Sequence, residues 1–445
     1  RVLAPGDKST VTLDVQNFTG KPGEFKVRVD GVGPLAIAQG ARSANLETDA
    51  KTTLTFPITA GEGYTTAQVR VRVDGGGFKV DRKYDVPVRA GWPAVLRSQT
   101  RVLDPLVPIE LGAAFADGLM PASLNVRMTV SALPPIPFAS ALKGALEYPY
   151  GCAEQTTSKG YAALELDDST AKLLGVPGLD AKKRRERMEG AFGRLASMQV
   201  SSGHFSMWGD DSYISPGLTP YIVEFLLDAK EAGFAVPDNV LQKALARLSE
   251  DLLAGGAQFY GSDKREHLKF ANQAYAGYVL SRVNRAPLGT LRALYDNERG
   301  NSLTGLPLVH LGIALSQQGD KNRGRRSIDQ GFAMKDGRPE YLGDYGTKLR
   351  DDALMIALVH ERKFSKPEYD ARVISLGREL DARRNAGWMY LSTQEQVALA
   401  RLGKALMVDQ QKMVSGSFSL GDTTEAITAT KLFGRSFDYA ALARG

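Results

Sequence analysis

The chain has 445 residues and a net charge of +6 at pH 7, with 43% hydrophobic and 24% charged residues. This composition is typical of globular proteins, and the length predicts two to four domains. No apolar run reaches about 18 residues, so the sequence predicts no membrane-spanning helix. Residues 1–10 carry no signal-peptide pattern and resemble the middle of a protein, which predicts a fragment of a longer chain.

The mild positive charge does not indicate a nucleic-acid partner. The densest basic runs, 182–187 and 321–326, lie beside predicted helices and are expected to form solvated faces. Neither run is interleaved with aromatic residues, and no known nucleic-acid-binding module occurs. The sequence also lacks metal-spaced cysteines and histidines, a phosphate loop and a dinucleotide fingerprint, so we expect no metal and no cofactor.

Residues 1–98 have the alternating pattern of β-strands. In the segment 67–75, the valines at 69, 71 and 73 would face a core and the arginines between them would face water. About seven short strands, punctuated by Gly, Pro and Asp, predict a β-sandwich. The clearest strand patterns are 11–17, 24–31, 53–60, 67–75 and 78–88.

The rest of the chain predicts a helical block between two β segments. Residues 99–135 hold two strand candidates, 108–112 and 123–130, which are too few to form a sheet alone. From 136 to 410 the apolar period is helical, and about twelve amphipathic segments predict stacked helical hairpins, in an open solenoid or a closed α/α toroid. Residues 411–445 return to β-like alternation. We therefore expect a multidomain β plus all-α protein whose helical domain is inserted in a split, incomplete β domain.

The only cysteine, Cys152, lies in the segment EYPYGCAEQTTSK (147–159), three residues before Gln155. If the backbone turns tightly, the Cys152 sulfur can attack the Gln155 side-chain carbonyl with loss of ammonia, which forms an internal thioester. Gly151 would permit the unusual backbone angle of such a turn. An amine or hydroxyl that attacks the former Gln155 carbonyl stays attached, and Cys152 is released as a thiol. From the spacing alone, a small buried cysteine beside a capping glutamine is the alternative.

A thioester survives only where water is kept out, and aromatic side chains exclude water well. Tyr148, Tyr150 and Trp208 are the candidates for this shield. The residues after Cys152 have a helical pattern, so the positive end of a helix would favour the leaving thiolate and an oxyanion at the carbonyl.

Four segments resemble the α2-macroglobulin and complement superfamily. YPYGCAEQTTS is similar to its thioester motif, Gly-Cys-x-Glu-Gln, and the flanking residues look most like bacterial α2-macroglobulins. MQVSSGHFSMWGDD resembles the family's Gln-x-x-x-Gly-x-Phe-Ser-x-Trp turn, and GLTPYIVEFLLDAKEAG and YLSTQEQVALARLGKAL resemble helices of its thioester domain. The resemblance covers roughly residues 1–445. It implies a macroglobulin-type β-sandwich at 1–98 and an α/α-toroid thioester domain at 136–410, inserted in a CUB-like domain split between 99–135 and 411–445.

The resemblance also implies a function, that of a protease inhibitor rather than an enzyme. In the family, a protease cuts a bait region, the thioester is unmasked and a lysine amine of the protease is captured. No bait region is recognisable in this chain. The implied partners are target proteases and, by the same resemblance, a penicillin-binding protein that synthesises peptidoglycan. The implied location is the periplasm, with a lipid anchor to the inner membrane in the full-length protein.

Three further residues are secondary candidates. His267 lies about as far after Cys152 as a histidine that assists transfer to hydroxyls in complement relatives, but its surroundings do not match. His204 lies in the Phe-Ser-x-Trp turn and could approach the site. Glu154 belongs to the motif and is expected to hold the loop or cap the helix rather than act as a base.

Two other functions stay open from the sequence. A complement-like thioester protein would acylate surface hydroxyls, and His267 would favour that reaction if it reached the thioester. An enzyme on an α/α toroid, such as a glycoside hydrolase, would need paired acids at the mouth of the barrel. Adjacent acids such as Asp351 and Asp352 point apart and do not supply such a pair.

Overall fold

The computed structural model describes residues 2–92, 94–104, 106–110, 115, 117–119, 124–131, 136, 138–168, 170–171, 178–210, 214, 216–255, 257, 263–387, 390–409, 413–430 and 432–438. The chain divides into two compact units. Unit 1 comprises Arg1–Leu96, Leu103–Ser131 and Met413–Gly445, and unit 2 comprises Arg97–Val102 and Ala132–Lys412. Each unit therefore contains segments that are distant in sequence.

The first part of unit 1 consists of two antiparallel sheets. One sheet has the order β1 (Lys8–Gln16), β5 (Lys51–Ala60) and β3 (Leu35–Ile37), and the other has the order β4 (Ala41–Leu46), β2 (Gly23–Val32), β6 (Thr65–Gly75) and β7 (Phe78–Val88). A single hydrophobic cluster takes side chains from both sheets, among them Phe56 and Val29. In β6, Val69 and Val71 are buried and Val73 is half-buried, as the alternation predicts.

The sequence patterns located the long strands better than the short ones. They missed β3, which has only three residues, and β4, whose sequence ARSANL has few large apolar side chains. The strand predicted at 108–112 is wrong in its described part, because 108–110 are not in a strand, and 111–112 lie outside the described residues.

One strand that precedes the helices of unit 2 in the sequence pairs with one that follows them. β8 (Asn125–Ser131) precedes the helices, and β11 (Leu432–Asp438) lies antiparallel to it along its whole length. β9 (Val414–Leu420) and β10 (Thr423–Thr430) form an antiparallel hairpin between the helices and β11. An insertion of the helical unit between β8 and β9 produces this pairing. The domain boundaries inferred from the sequence stay predictions.

The described part of unit 2 is helical. Its α-helices are α1 (Phe138–Leu146), α2 (Ala153–Glu165), α3 (Ala181–Met198), α4 (Leu218–Glu231), α5 (Asp238–Leu253), α6 (Arg265–Ser281), α7 (Leu288–Glu298), α8 (Gly305–Gln317), α9 (Lys321–Ala333), α10 (Lys348–Glu361), α11 (Pro367–Asn385) and α12 (Thr393–Asp409).

The even-numbered helices form an inner ring. Each packs against the next even-numbered helix and α12 packs against α2, while the odd-numbered helices pack on the outside. In α8, 11 of 13 residues are buried, which is expected of a helix that is apolar on all sides.

Hydrogen bonds join the beginnings of neighbouring inner helices. Thr347, before α10, donates to Glu395 of α12 (2.7 Å), and the backbone N–H of Leu303, before α8, donates to His267 of α6 (3.1 Å). The inner helices linked in this way begin at the same end of the ring, and the site described next lies there.

Candidate functional site

Cys152 lies at the beginning of the inner helix α2. It is the N-cap residue, with φ −67° and ψ 174°, and Gln155 is the third residue of the helix. The backbone N–H of Cys152 donates a hydrogen bond to Gln155 Oε1 (3.2 Å), and the backbone N–H of Gln155 points at the Cys152 side chain. This is a capping box in which sulfur replaces the usual serine or threonine oxygen. The helix start therefore folds the Gln155 side chain back onto Cys152.

The Cys152 thiol is buried, with only 6% of the residue exposed. Burial raises the pKa of Cys152 above its ordinary value, the backbone N–H of Gln155 opposes this rise, and the Glu154 charge adds to it. The positive end of the helix, which is the effect expected from the sequence, favours a thiolate. For the free thiol of this structure, burial affects the pKa of Cys152 more than the start of the helix does. The sulfur therefore leaves easily as a thiolate only if further positive charge is nearby.

Glu154 joins α2 to the start of α12. Its buried carboxylate accepts hydrogen bonds from Ser158 Oγ within α2 (2.7 Å). It also accepts from Thr393 Oγ1 (2.8 and 2.9 Å) and from Gln394 Nε2 (2.8 Å), which are the first two residues of α12. A carboxylate with these partners holds the start of α2 against the start of α12.

The backbone on both sides of Cys152 is held by other segments. The N–H of Ala153 donates to the carbonyl of Met207 (3.0 Å), so the turn before Trp208 lies against the start of α2. The carbonyl of Gly151 accepts from Arg194 Nη2 (3.3 Å) and from Thr156 Oγ1 (3.2 Å).

The predicted unusual backbone angle at Gly151 is wrong for this structure. Its φ is not in the left-handed region, and a Cβ added there would make only an ordinary contact, 3.8 Å from Thr156 Oγ1. The turn into α2 is instead made by the extended N-cap conformation of Cys152.

The three predicted shield residues differ in their surroundings. Tyr148 is half-buried and packs edge-on against Tyr150, with ring centroids 5.9 Å apart. A hydrogen bond to Tyr390 raises the pKa of Tyr148, and burial and the charges of nearby groups, including Cys152, act in the same direction. Tyr150 and Trp208 are 66% and 57% exposed. Of the three, Tyr148 is the least exposed and the one whose pKa responds to the charge of Cys152.

Neither candidate histidine makes a hydrogen bond to Cys152 or Gln155 in the described part of the chain. His204 Nε2 lies 2.8 Å from Asp251 Oδ2. His267 is buried, its Nδ1 accepts the N–H of Leu303, and burial lowers the pKa of His267 to about 4. The partners of both histidines therefore belong to other parts of the helical unit.

Four residues of the site were missed by the sequence argument: Met207, Tyr390, Thr393 and Gln394. Met207 lies inside the quoted turn, but its contact is through a backbone carbonyl, which no side-chain pattern reveals. The other three lie more than two hundred residues after Cys152 in the sequence. They reach the site only because the ring of inner helices closes.

The described residues offer no site for a metal and no membrane span. No group of three or more His, Cys, Asp or Glu side chains in these ranges could hold a metal ion. None of the described helices is both long and apolar enough to cross a membrane. The geometry of Cys152 and Gln155 fits both a capping glutamine and a pair that reacts to form a thioester.

Comparisons with known proteins agree with the motif. No family model matches the chain. It is 64% identical over 446 residues to an alpha-2-macroglobulin of Xylella fastidiosa (strain 9a5c), a match that covers 100% of the chain and 27% of that protein. It is 34% identical over 417 residues to the alpha-2-macroglobulin of Escherichia coli (strain K12), covering 90% of the chain and 24% of that protein. The chain thus spans about a quarter of the length of these curated relatives.

Solved structures of relatives also match this chain. Salmonella alpha-2-macroglobulin reacted with methylamine matches with a TM-score of 0.64 at 32% identity, over 100% of this chain and 29% of that one. Trypsin-activated alpha-2-macroglobulin from Escherichia coli matches with a TM-score of 0.58 at 30% identity, over 100% of this chain and 30% of that one.

Proposed function

Because the chain belongs to the bacterial alpha-2-macroglobulins, we propose that it carries the covalent capture site of a protease trap. The proposal rests on the capping box that folds the Gln155 side chain back onto Cys152 at the buried start of α2. The methylamine-reacted and trypsin-activated relatives support an amine as the captured group and a protease as the partner.

The reaction uses only the two side chains and an incoming amine. The Cys152 sulfur attacks the Gln155 side-chain carbonyl, a C–S bond forms and ammonia leaves. A lysine amine of a protease then attacks the same carbonyl, the new C–N bond replaces the C–S bond, and the sulfur leaves with its electron pair and is protonated to a thiol. One amine proton goes to solvent. The product is an amide that joins the protease to Gln155, so the protein acts once and turns nothing over.

The other domains and the location of the protein are proposed from its family. We assign the two sheets of β1–β7 to a macroglobulin-type domain and the helical ring to an α/α-toroid thioester domain. The strands β8 to β11 are assigned to a split CUB-like domain. The periplasm, a lipid anchor to the inner membrane and a penicillin-binding partner extend the proposal to the full-length protein.

Amines are preferred to hydroxyls as targets because no histidine assists at the site. His267 is buried, held by Leu303 and uncharged at neutral pH. Without a general base, the stronger nucleophile reacts faster, and an uncharged amine is a stronger nucleophile than an alcohol.

Intact mass tests the proposal. Freshly made protein should be lighter than its sequence mass by one ammonia and should have no free thiol, whereas Cys152→Ala should have its full mass. Methylamine should add to Gln155 and release one thiol, while glycerol at the same concentration should react far more slowly. Both rates should be the same in His267→Ala as in the unchanged protein. A freshly made protein of full mass with a free thiol would overturn the thioester, and glycerol labelling that depends on His267 would overturn the preference for amines.

A further inference from the structure

Basic side chains of α2 and α3 lie on one flank of the Cys152 site. Lys159 follows Cys152 by two helical turns, which places the two residues on the same face of α2. The helix α3 packs against α2, and two of its arginines reach the start of the site. Arg194 donates to the Gly151 carbonyl (3.3 Å), and Arg187 donates to the Leu146 carbonyl at the end of α1 (3.4 Å).

Lys159 is half-buried, and no ion pair joins it to a carboxylate of the described residues. Burial lowers the pKa of Lys159, the charges of Arg187 and Arg194 lower it further, and a charge on Cys152 acts in the opposite direction. Like charges that act on one another in this way destabilise a resting structure. A negative charge that appears next to them during the reaction would relieve this repulsion.

That negative charge is the sulfur of Cys152. When an amine displaces it from the Gln155 carbonyl, the electron pair of the C–S bond stays on a buried sulfur whose surroundings resist charge. Glu154 and Tyr148 also act electrostatically with Cys152, and both are acids that do not favour a thiolate. Fixed positive charge placed where charge develops stabilises a transition state.

We propose that Lys159, Arg187 and Arg194 form a cationic flank that stabilises the Cys152 thiolate as it leaves, and so sets the rate at which the thioester opens. The kinetic part of this inference rests on the proposed function. The electrostatic part concerns the free thiol and holds whether or not the thioester forms. Lys159 is a positioning residue, because it acts through the charge of the sulfur and not by contact with the incoming amine.

The direct test is the thiol pKa of Cys152, measured by the pH dependence of its alkylation with iodoacetamide. The thiol is obtained by opening the thioester with methylamine or, if no thioester is present, from the protein as purified. In Lys159→Gln the thiol pKa should rise by about half a unit or more, and in Lys159→Gln/Arg194→Gln it should rise further. Lys159→Arg should keep the original value. Lys182→Gln is the matched control, because Lys182 lies on α3 with 86% of its side chain exposed.

The second measurement is the rate of thioester opening by hydroxylamine, a nucleophile that is uncharged at neutral pH. Lys159→Gln should open about three- to tenfold more slowly, Lys182→Gln should open at the original rate, and added salt should narrow the difference. An unchanged thiol pKa in a folded Lys159→Gln protein overturns the cationic flank. Absence of a thioester in the unchanged protein overturns the proposed function, and the thiol pKa then still decides the electrostatic claim.

Discussion

Removal of the Glu154 carboxylate should loosen the start of α2 from α12. In Glu154→Ala, Ser158 Oγ keeps a partner, since it lies 3.0 Å from the hydroxyl of Tyr221, but Thr393 and Gln394 lose the acceptor that they share. A buried donor left unpaired costs about 1–3 kcal/mol, so two such donors cost about 4 kcal/mol in the free energy of unfolding. We expect a loss of this size because Glu154 is buried, with 6% of the residue exposed, and water does not readily replace its carboxylate.

The loss can be measured by urea unfolding of the chain, followed by far-ultraviolet circular dichroism, which reports mainly on the helical unit. Glu186→Ala is the matched control, because 60% of the Glu186 side chain is exposed on α3 and its loss should cost less than about 0.5 kcal/mol. Thr393→Val should cost about 1–2 kcal/mol alone and little more in the Glu154→Ala background, since both changes break the same contact.

A Glu154→Ala protein within about 0.5 kcal/mol of the unchanged chain would refute the clamp between α2 and α12. Additive losses in the Glu154→Ala/Thr393→Val pair would show that the two side chains act separately. The thioester should also be lost or short-lived in Glu154→Ala, because the N-cap position of Cys152 depends on the same helix start. Its absence is read from the intact mass.

Two other predictions concern water and acid. Tyr148→Ala should speed thiol release in plain buffer several-fold, and the exposed Tyr150→Ala should change it less; equal rates in all three proteins would remove Tyr148 from the shield. Burial lowers the pKa of His310 to about 3, so its neutral ring contributes stability that is present above about pH 6.5 and is lost as the pH falls towards 3. Between about pH 8 and pH 5 the free energy of unfolding should fall by about 2 kcal/mol from this cause. His310→Phe keeps the stacking on Tyr275 and should remove this pH dependence from urea unfolding. An unchanged pH profile in His310→Phe would show that His310 does not titrate this way.

The sequence predicts those parts of the fold that are set by local periodicity. The alternation in β6 and the helical period from 136 to 410 each persist over many residues, and both appear in the structure. The short strand β4 was missed because its pattern covers only six residues. The choice between a solenoid and a ring could not be made from the sequence, since it depends on the packing of α12 against α2.

Within the site too, residues close together in the sequence were predicted and residues distant in the sequence were not. Cys152 and Gln155 were identified because the motif that contains them consists of adjacent residues and can be recognised in the sequence. Thr393 and Tyr390 were not, because no local signal connects them to a motif at 152. His267 was a secondary candidate for a related reason: its distance along the chain is suitable, but its ring is buried against the segment before α8.

The capping box at Cys152 is weak by the ordinary standards of helix starts, and this weakness explains the contacts around it. Serine, threonine, aspartate and asparagine are the strong N-caps, whereas sulfur is a poor acceptor. The start of α2 is instead anchored by its neighbours, through the Met207 carbonyl that accepts the N–H of Ala153 and through Glu154, which accepts from the start of α12. With the helix held from outside, Cys152 and Gln155 contribute little to its stability and are available to form and break a covalent bond. A change that separates α2 from α12 would therefore act on the proposed thioester as well as on the stability of the helical unit.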